Sequence, residues 1–161
     1  MTLTHESAAT HGAPEPLIEH PTQRAALNDA ALALGVPARD AQHFAHTGEM
    51  QVGDACLLLL PLDPHRQGPW VAVVQRPRPP GVDEPAWLDT LLQANAHTLL
   101  AEDAAFALAE NGDTVLLQRL QGVDNALLLS ADLYGALLLS DSVQPAAATA
   151  SRPPTREVPA C

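Results

Sequence analysis

Apolar side chains recur at helical spacing early in the chain: Leu27, Ala31 and Leu34 follow Pro21-Thr22, and Gly35 before Val36-Pro37 supplies a stop. The pattern predicts a first helix over about 22–34. Residues 41–53 carry little periodicity. The run Cys56-Leu-Leu-Leu-Leu60, held between Gly53-Asp54 and Pro61, has the length of a short buried strand. Pro69-Trp-Val-Ala-Val-Val-Gln75 is a second strand, β-branched and aromatic, ahead of the connector Arg76-Pro-Arg-Pro-Pro-Gly81. A second helix follows, with Asp83 or Glu84 at its cap and Pro85 in the first turn, where a missing N–H costs nothing. It should run to about Thr98. Its apolar positions Trp87, Leu88, Leu91, Leu92, Ala94 and Leu99 cover a face wider than one contact with a sheet requires, which leaves a side for a partner.

The sharpest local signal is Asn111-Gly112, which predicts a two-residue hairpin loop with positive φ at both positions. It joins strands at 104–110 and 113–120. In the first, Phe106 and Leu108 face one side while Ala105, Ala107 and Ala109 face the other, a surface of small residues that lets a neighbour approach closely. Ala126–Leu129 reads as a strand or as the approach to a last helix at about 131–140, with Asp132 and Tyr134 near its start and Gly135 inside it. Helix, two or three strands, helix, two or three strands, helix is the order of an α+β protein with a mainly antiparallel sheet.

With 161 residues and 47% hydrophobic content the chain can build one real core. Residues 1–20 and 142–161, rich in Pro and small residues, read as mobile tails around a folded body at 21–141. Charge narrows the function. There are 19 acids against 8 arginines and no lysine, a net charge of −11, and the body alone has 15 acids against 6 arginines, a net of −9. Without lysine there is no P-loop, no Schiff base and no Ser–Lys pair. Eight scattered arginines give no basic stripe for nucleic acid, so partners should be neutral or basic. Cys56 and Cys161 make no disulfide framework, the N-terminus lacks a signal-peptide pattern, and uninterrupted apolar runs reach only about five residues against the ~20 that span a bilayer. A cytoplasmic protein without membrane insertion is expected.

Candidate chemistry is thin. His5, His11 and His20 lie in the N-terminal tail, where no geometry is enforced. His43 and His46 share a face only if their segment is helical, and are otherwise surface residues. His97 near the end of the second helix is favoured by the helix dipole alone. Cys56 among leucines has the setting of an inert core thiol. The acid pairs Asp83-Glu84 and Glu102-Asp103 suit helix ends and solvation. A metal- or thiol-dependent enzyme using His43, His46 and Cys56 stays open as an alternative. The expectation is a binding module with no catalytic residue, no metal and no cofactor.

From Trp87 the string Trp-Leu-Asp-Thr-Leu-Leu-Gln-Ala-Asn95, then Phe106-Ala-Leu-Ala-Glu-Asn-Gly-Asp-Thr-Val-Leu-Leu-Gln-Arg-Leu120, resembles type III secretion chaperones of the class I, CesT-like kind. The likeness covers about 22–140 and is most specific from Trp87 to Leu120. It implies an α-β-β-β-α-β-β-α fold and a cytoplasmic homodimer that binds the N-terminal segment of effector proteins in non-globular form. The dimer would form through the second helix and the following strand, here Trp87, Leu91, Ala94 and Asn95 with Ala105, Ala107 and Ala109. Client anchors would dock on the first helix at Leu27 and Leu34 and along the strands at Leu58, Leu60 and Trp70. The final helix departs from the pattern in being short and containing Gly135. The long Pro-bearing tails resemble the HpaB-type export control chaperones of plant-pathogenic bacteria, which serve many effectors and contact the export ATPase. A regulatory domain on the same fold is a further alternative.

Overall fold

A computed structural model describes residues 18–63, 68–101 and 103–150. Most of the two expected tails therefore lies outside the described residues. The elements run α1 (Pro21–Ala33), α2 (Ala38–Thr47), β1 (Glu49–Val52), β2 (Ala55–Pro61), β3 (Trp70–Arg76), α3 (Glu84–Ala101), β4 (Ala104–Leu108), β5 (Thr114–Arg119) and α4 (Ala126–Ala150). The five strands form one antiparallel sheet in the order β1-β2-β3-β5-β4. The fold is α+β, as the alternation of elements predicted, with a second helix before the sheet.

Helix α1 ends as its sequence dictates. Gly35 adopts φ +80°, its N–H donates to the Leu32 carbonyl (3.0 Å), and Val36 N–H reaches back to the Ala31 carbonyl (3.1 Å). This is the left-handed helix stop in which the residue after glycine is apolar, and Val36 is buried. The segment at 41–53 is helix α2 followed by β1. Its inner face consists of Ala41, Phe44 and Ala45, too few and too small to stand out among polar neighbours.

The hairpin differs from the two-residue loop expected at Asn111-Gly112. Ala109 N–H donates to the Asp113 carbonyl and Gly112 N–H to the Ala109 carbonyl, both at 2.9 Å, so three residues form the loop. Only Gly112 of the pair takes positive φ, +82°. Asn111 instead caps the turn, its Oδ1 accepting from Asp113 N–H at 3.1 Å. A three-residue loop with glycine in the left-handed position matches strand twist equally well.

The last helix is far longer than 131–140. Asn125 is its N-cap: Oδ1 accepts from the N–H groups of Leu127 (3.0 Å) and Leu128 (3.2 Å). The helix then passes Gly135 without a break and continues through the start of the expected C-terminal tail, where Val143 is buried. Asp132 does not start the helix; its carboxylate accepts the Gln121 N–H at 2.9 Å. Over Ala126–Gln144, with mean hydropathy 1.4, α4 is the described helix long and apolar enough to cross a membrane. Counting uninterrupted runs missed this because Ser130, Asp132, Tyr134 and Gly135 punctuate it. One side of α4, with Leu129, Leu133, Ala136, Leu137 and Val143, is core.

Every strand buries the same face. Met50, Leu57, Val74, Leu116 and Phe106 stand side by side in one cross-strand row and are all buried. Helices supply the other half of this core with Leu27, Phe44, Trp87, Leu91, Leu129 and Leu133. Ile18, in the stretch expected to be a tail, is 1% exposed, and no water fits the gap it shares with Leu27, Leu59 and Trp70. Arg76 fastens the end of β3, donating from Nε to Ser140 Oγ on α4 (3.2 Å) and pairing with Asp54 in the β1–β2 turn. Asp141 lies 3.8 Å from the same guanidinium.

Candidate polypeptide-binding face

Because the core-facing side chains alternate, the opposite set shares the other face of the sheet, where the described helices leave it open. Glu49, Leu58, Val73, Leu117 and Ala105 form one row across all five strands. Gln51, Cys56, Gln75, Val115 and Ala107 form the next, and Leu60, Val71 and Arg119 a third. Leu60 and Leu117 are 41% and 40% exposed, and Leu58, Val71, Val73 and Val115 are half-buried by their neighbours. An apolar sheet face in contact with water is costly, which makes this face the candidate site.

The two edges of this sheet are not equivalent. Ladder bonds from Arg119 N–H to the Asp103 carbonyl and from Ala109 N–H to the Asp113 carbonyl turn the odd residues of β4 toward β5 and the even ones outward. Asn95 of α3 closes that outward edge. Its Oδ1 accepts from Phe106 N–H (2.6 Å) and its Nδ2 donates to the Phe106 carbonyl (2.9 Å), as a neighbouring strand would. At the opposite edge Leu59 N–H donates to the Gly48 carbonyl, so Glu49 and Gln51 of β1 face outward. Thr47 Oγ1 accepts from Glu49 N–H (3.2 Å). Among the described residues nothing pairs with the main chain of Gln51. A groove of about 310 Å³, lined by Asp40, His43, Glu49, Met50 and Gln51, runs between α2 and this edge. A larger cleft of about 780 Å³ near the other end of the sheet holds Asp103, Asp124 and Asp132 against Arg119. Both are rimmed by acids.

The structure divides the residues singled out in the sequence. Of the expected client anchors, Leu58 and Leu60 lie on the open face, whereas Leu27 and Trp70 are 1% and 4% exposed. Leu34, at the C-cap of α1, is half-buried against the core. Leu27 and Trp70 are therefore corrected to core residues: α1 packs against α2 and α4, and its Leu27 closes with Ile18, Leu59 and Trp70 around one gap in the core. Of the expected dimer residues, Trp87 and Leu91 are also core. Trp87 is fully buried and its Nε1 donates to Thr114 Oγ1 at 2.9 Å. Asn95 is committed to Phe106, and Ala94 packs half-buried against the same core. Among the described side chains of α3, the large apolar ones that face outward are Leu88 and Leu92 instead. Ala105 and Ala107 belong to the open sheet face, and Ala109 sits in the hairpin. Val71, Val73, Val115 and Leu117 were missed as site residues; alternation within their strands, once the inner face is known, identifies them.

His43 and His46 stand one turn apart on α2, both exposed, and His46 Nδ1 lies 2.8 Å from the Gln42 carbonyl. Cys56 is on the open sheet face beside Glu49, with Sγ 3.9 Å from Oε1. Burial, then the Glu49 charge and the hydrogen bond to it, raise the thiol above its ordinary pKa. Among the described residues no three His, Cys, Asp or Glu side chains group as metal ligands. Compared with known proteins, the chain matches no family model, and no curated protein or solved structure is significantly similar to it.

Proposed function

We propose that this chain is a cytoplasmic type III secretion chaperone of the class I kind, a homodimer that holds the N-terminal segment of effector proteins in non-globular form. The observation that carries the reading is the open apolar sheet face, which ends at an edge strand where, among the described residues, the main chain of Gln51 has no partner. An extended polypeptide adds to a free edge through its backbone and seats alternate side chains on the adjoining face. Leu58, Leu60, Val73 and Leu117 offer that face, and the main chain of Gln51 that edge. Such contacts depend on apolarity more than on exact side-chain shape, which suits several clients in turn and delivery to an export apparatus, its ATPase included. The acids around both grooves favour clients bearing Arg or Lys near their anchors.

The test is capture from the native cell. Tagged full-length chain is purified and its companions identified by mass spectrometry, and each is then assayed as an isolated N-terminal segment and as the remaining folded part. The reading expects secreted effectors, bound through the N-terminal segment without nucleotide. Recovery of no secreted protein, or binding through the folded part alone, overturns it.

A further inference from the structure

Helix α4 is apolar on two sides. Leu129, Leu133, Ala136 and Leu137 enter the core, while Leu127, Leu128, Tyr134 and Leu138 point the other way and are 78%, 45%, 56% and 52% exposed. At about 100° per residue, Leu127, Ala131, Tyr134, Leu138 and Ser142 fall on one exposed side, with Asp141 along its edge. Acids border this stripe at both ends. The Asp141 side chain stays 67% exposed although Arg76 lies 3.8 Å away, and at the other end Ala131 and Gly135 line the cleft that holds Asp103, Asp124 and Asp132. No Lys or Arg lies between Ala126 and Ala150. A helix hydrophobic all round is normally enclosed, so this side lacks a neighbour among the described residues, and the acids beside it call for one with positive charge.

We propose that the neighbour is the chain's own residues 151–161, folded back from the end of α4 to lie along this stripe. Charge selects that occupant. Residues 151–161 carry Arg152 and Arg156 against Glu157, a net of +1, whereas the other 150 residues hold 6 arginines against 18 acids, a net of −12. A second copy or an anionic bilayer would bring negative charge to the acidic ends instead. Length and register agree with the same occupant. Pro153 disfavours helical backbone at Arg152, so α4 stops before it, and Pro153-Pro154 starts an extended run. From Arg152 to Arg156 such a run covers about 12 Å, and α4 covers about 13–14 Å from Asp141 to Ala150, which brings Arg156 level with Asp141. Val158 and Pro159 then come about 19 and 22 Å back, against Leu138 and Tyr134 at about 18 and 24 Å. Proline-bearing extended segments seat on aromatic and apolar surfaces with little entropy to lose, and Tyr134 with Leu138 offers one. A tether this short holds the segment at an effective concentration on the order of millimolar, so weak contacts suffice. The Arg156–Asp141 pair fixes the register, and the apolar contacts supply most of the hold. The stripe lies on the helical side of the molecule, away from the sheet face assigned to effectors.

The test uses the full chain with Cys56→Ser, a nitroxide on Cys161, and NMR of the α4 amides. Folded back, Cys161 comes about 28 Å along α4 from its end, level with Ala131. Amides from Ala131 to Gly135 should lose most of their signal. Arg156→Glu combined with Val158→Asp, both outside the folded body, should restore it and leave the rest of the spectrum in place, and Leu138→Asp should restore it as well. In a mixture of nitroxide-bearing chains with isotope-labelled chains that carry none, the labelled amides should keep their signal, because the contact is made within one chain. Four results overturn the inference: α4 amides that the nitroxide does not touch, a loss that persists in the segment variants, a loss in the mixture, which would put a second copy on the stripe, and a loss confined to Leu58, Leu60 and Leu117, which would put the segment on the sheet face.

Discussion

Asn95 shows how one side chain stands in for a strand at the edge of a sheet. Its amide supplies the donor and acceptor that a sixth strand would have offered to Phe106. Asn95→Ala should therefore cost about 1–3 kcal/mol, since both main-chain groups lose their partners. It should also expose β4 to edge-to-edge association. Urea unfolding followed by aggregation kinetics checks both effects; wild-type stability with unchanged solubility would mean that water replaces the amide at no cost. Cys56 illustrates the opposite, a group made quiet by its setting. Burial first, and Glu49 second, hold its thiol protonated to higher pH than usual, and only the thiolate is nucleophilic. In a Cys161→Ser chain, alkylation of Cys56 at pH 8 should be slower than that of free glutathione, and Glu49→Gln should speed it. A rate above that of glutathione would restore a reactive-thiol function.

Elements were legible where local chemistry alone fixes them and obscure where the tertiary partner does. Gly35 with Val36 announces the end of α1, and the leucine and valine runs announce β2 and β3, because a helix stop and a short uninterrupted apolar run look alike in any surroundings. Helix α2 depends on Phe44 finding a core that its own segment does not reveal, and α4 begins at an asparagine cap five leucine-rich residues before the expected start. Which side of a helix faces inward was the largest loss. Trp87 and Leu91 have neighbours Leu88 and Leu92 of the same character, so periodicity alone cannot choose between the two faces, and the buried pair was assigned to a partner. The same ambiguity placed Leu27 on a binding surface. The corrected assignment makes a paired expectation: Leu27→Ala should cost about 2–5 kcal/mol because it hollows the core. Leu117→Asp, 40% exposed on the open face, should cost less, about 1–2 kcal/mol, from partial loss of burial and the poor strand propensity of Asp. Effector-segment capture should nevertheless fall with Leu117→Asp. Calorimetry and a pull-down on both variants decide it; capture at wild-type level with Leu117→Asp would remove the sheet face from the site.

For the whole molecule, the proposed function assigns the apolar face and the acidic charge to different steps of binding. A net charge of −9 on residues 21–141 extends its field beyond the surface, and Asp40, Glu49, Asp103, Asp124 and Asp132 bring it to the rims of both grooves. Such a field would raise the rate at which basic segments arrive, while apolar contacts made after arrival would set how long they stay. Salt separates the two. Between about 0.05 and 0.5 M the Debye length shortens from roughly 14 to 4 Å, so exposed charges decouple while contacts on Leu58, Leu60, Val73 and Leu117 remain. Association of a captured effector segment should slow several-fold over that range, and dissociation should hardly change. Surface plasmon resonance with one segment across the series reads both rates. Dissociation that accelerates with salt while association stays level would mean that ion pairs hold the complex, and the acidic rims, with the sheet face reduced to scaffold, would then be the binding site.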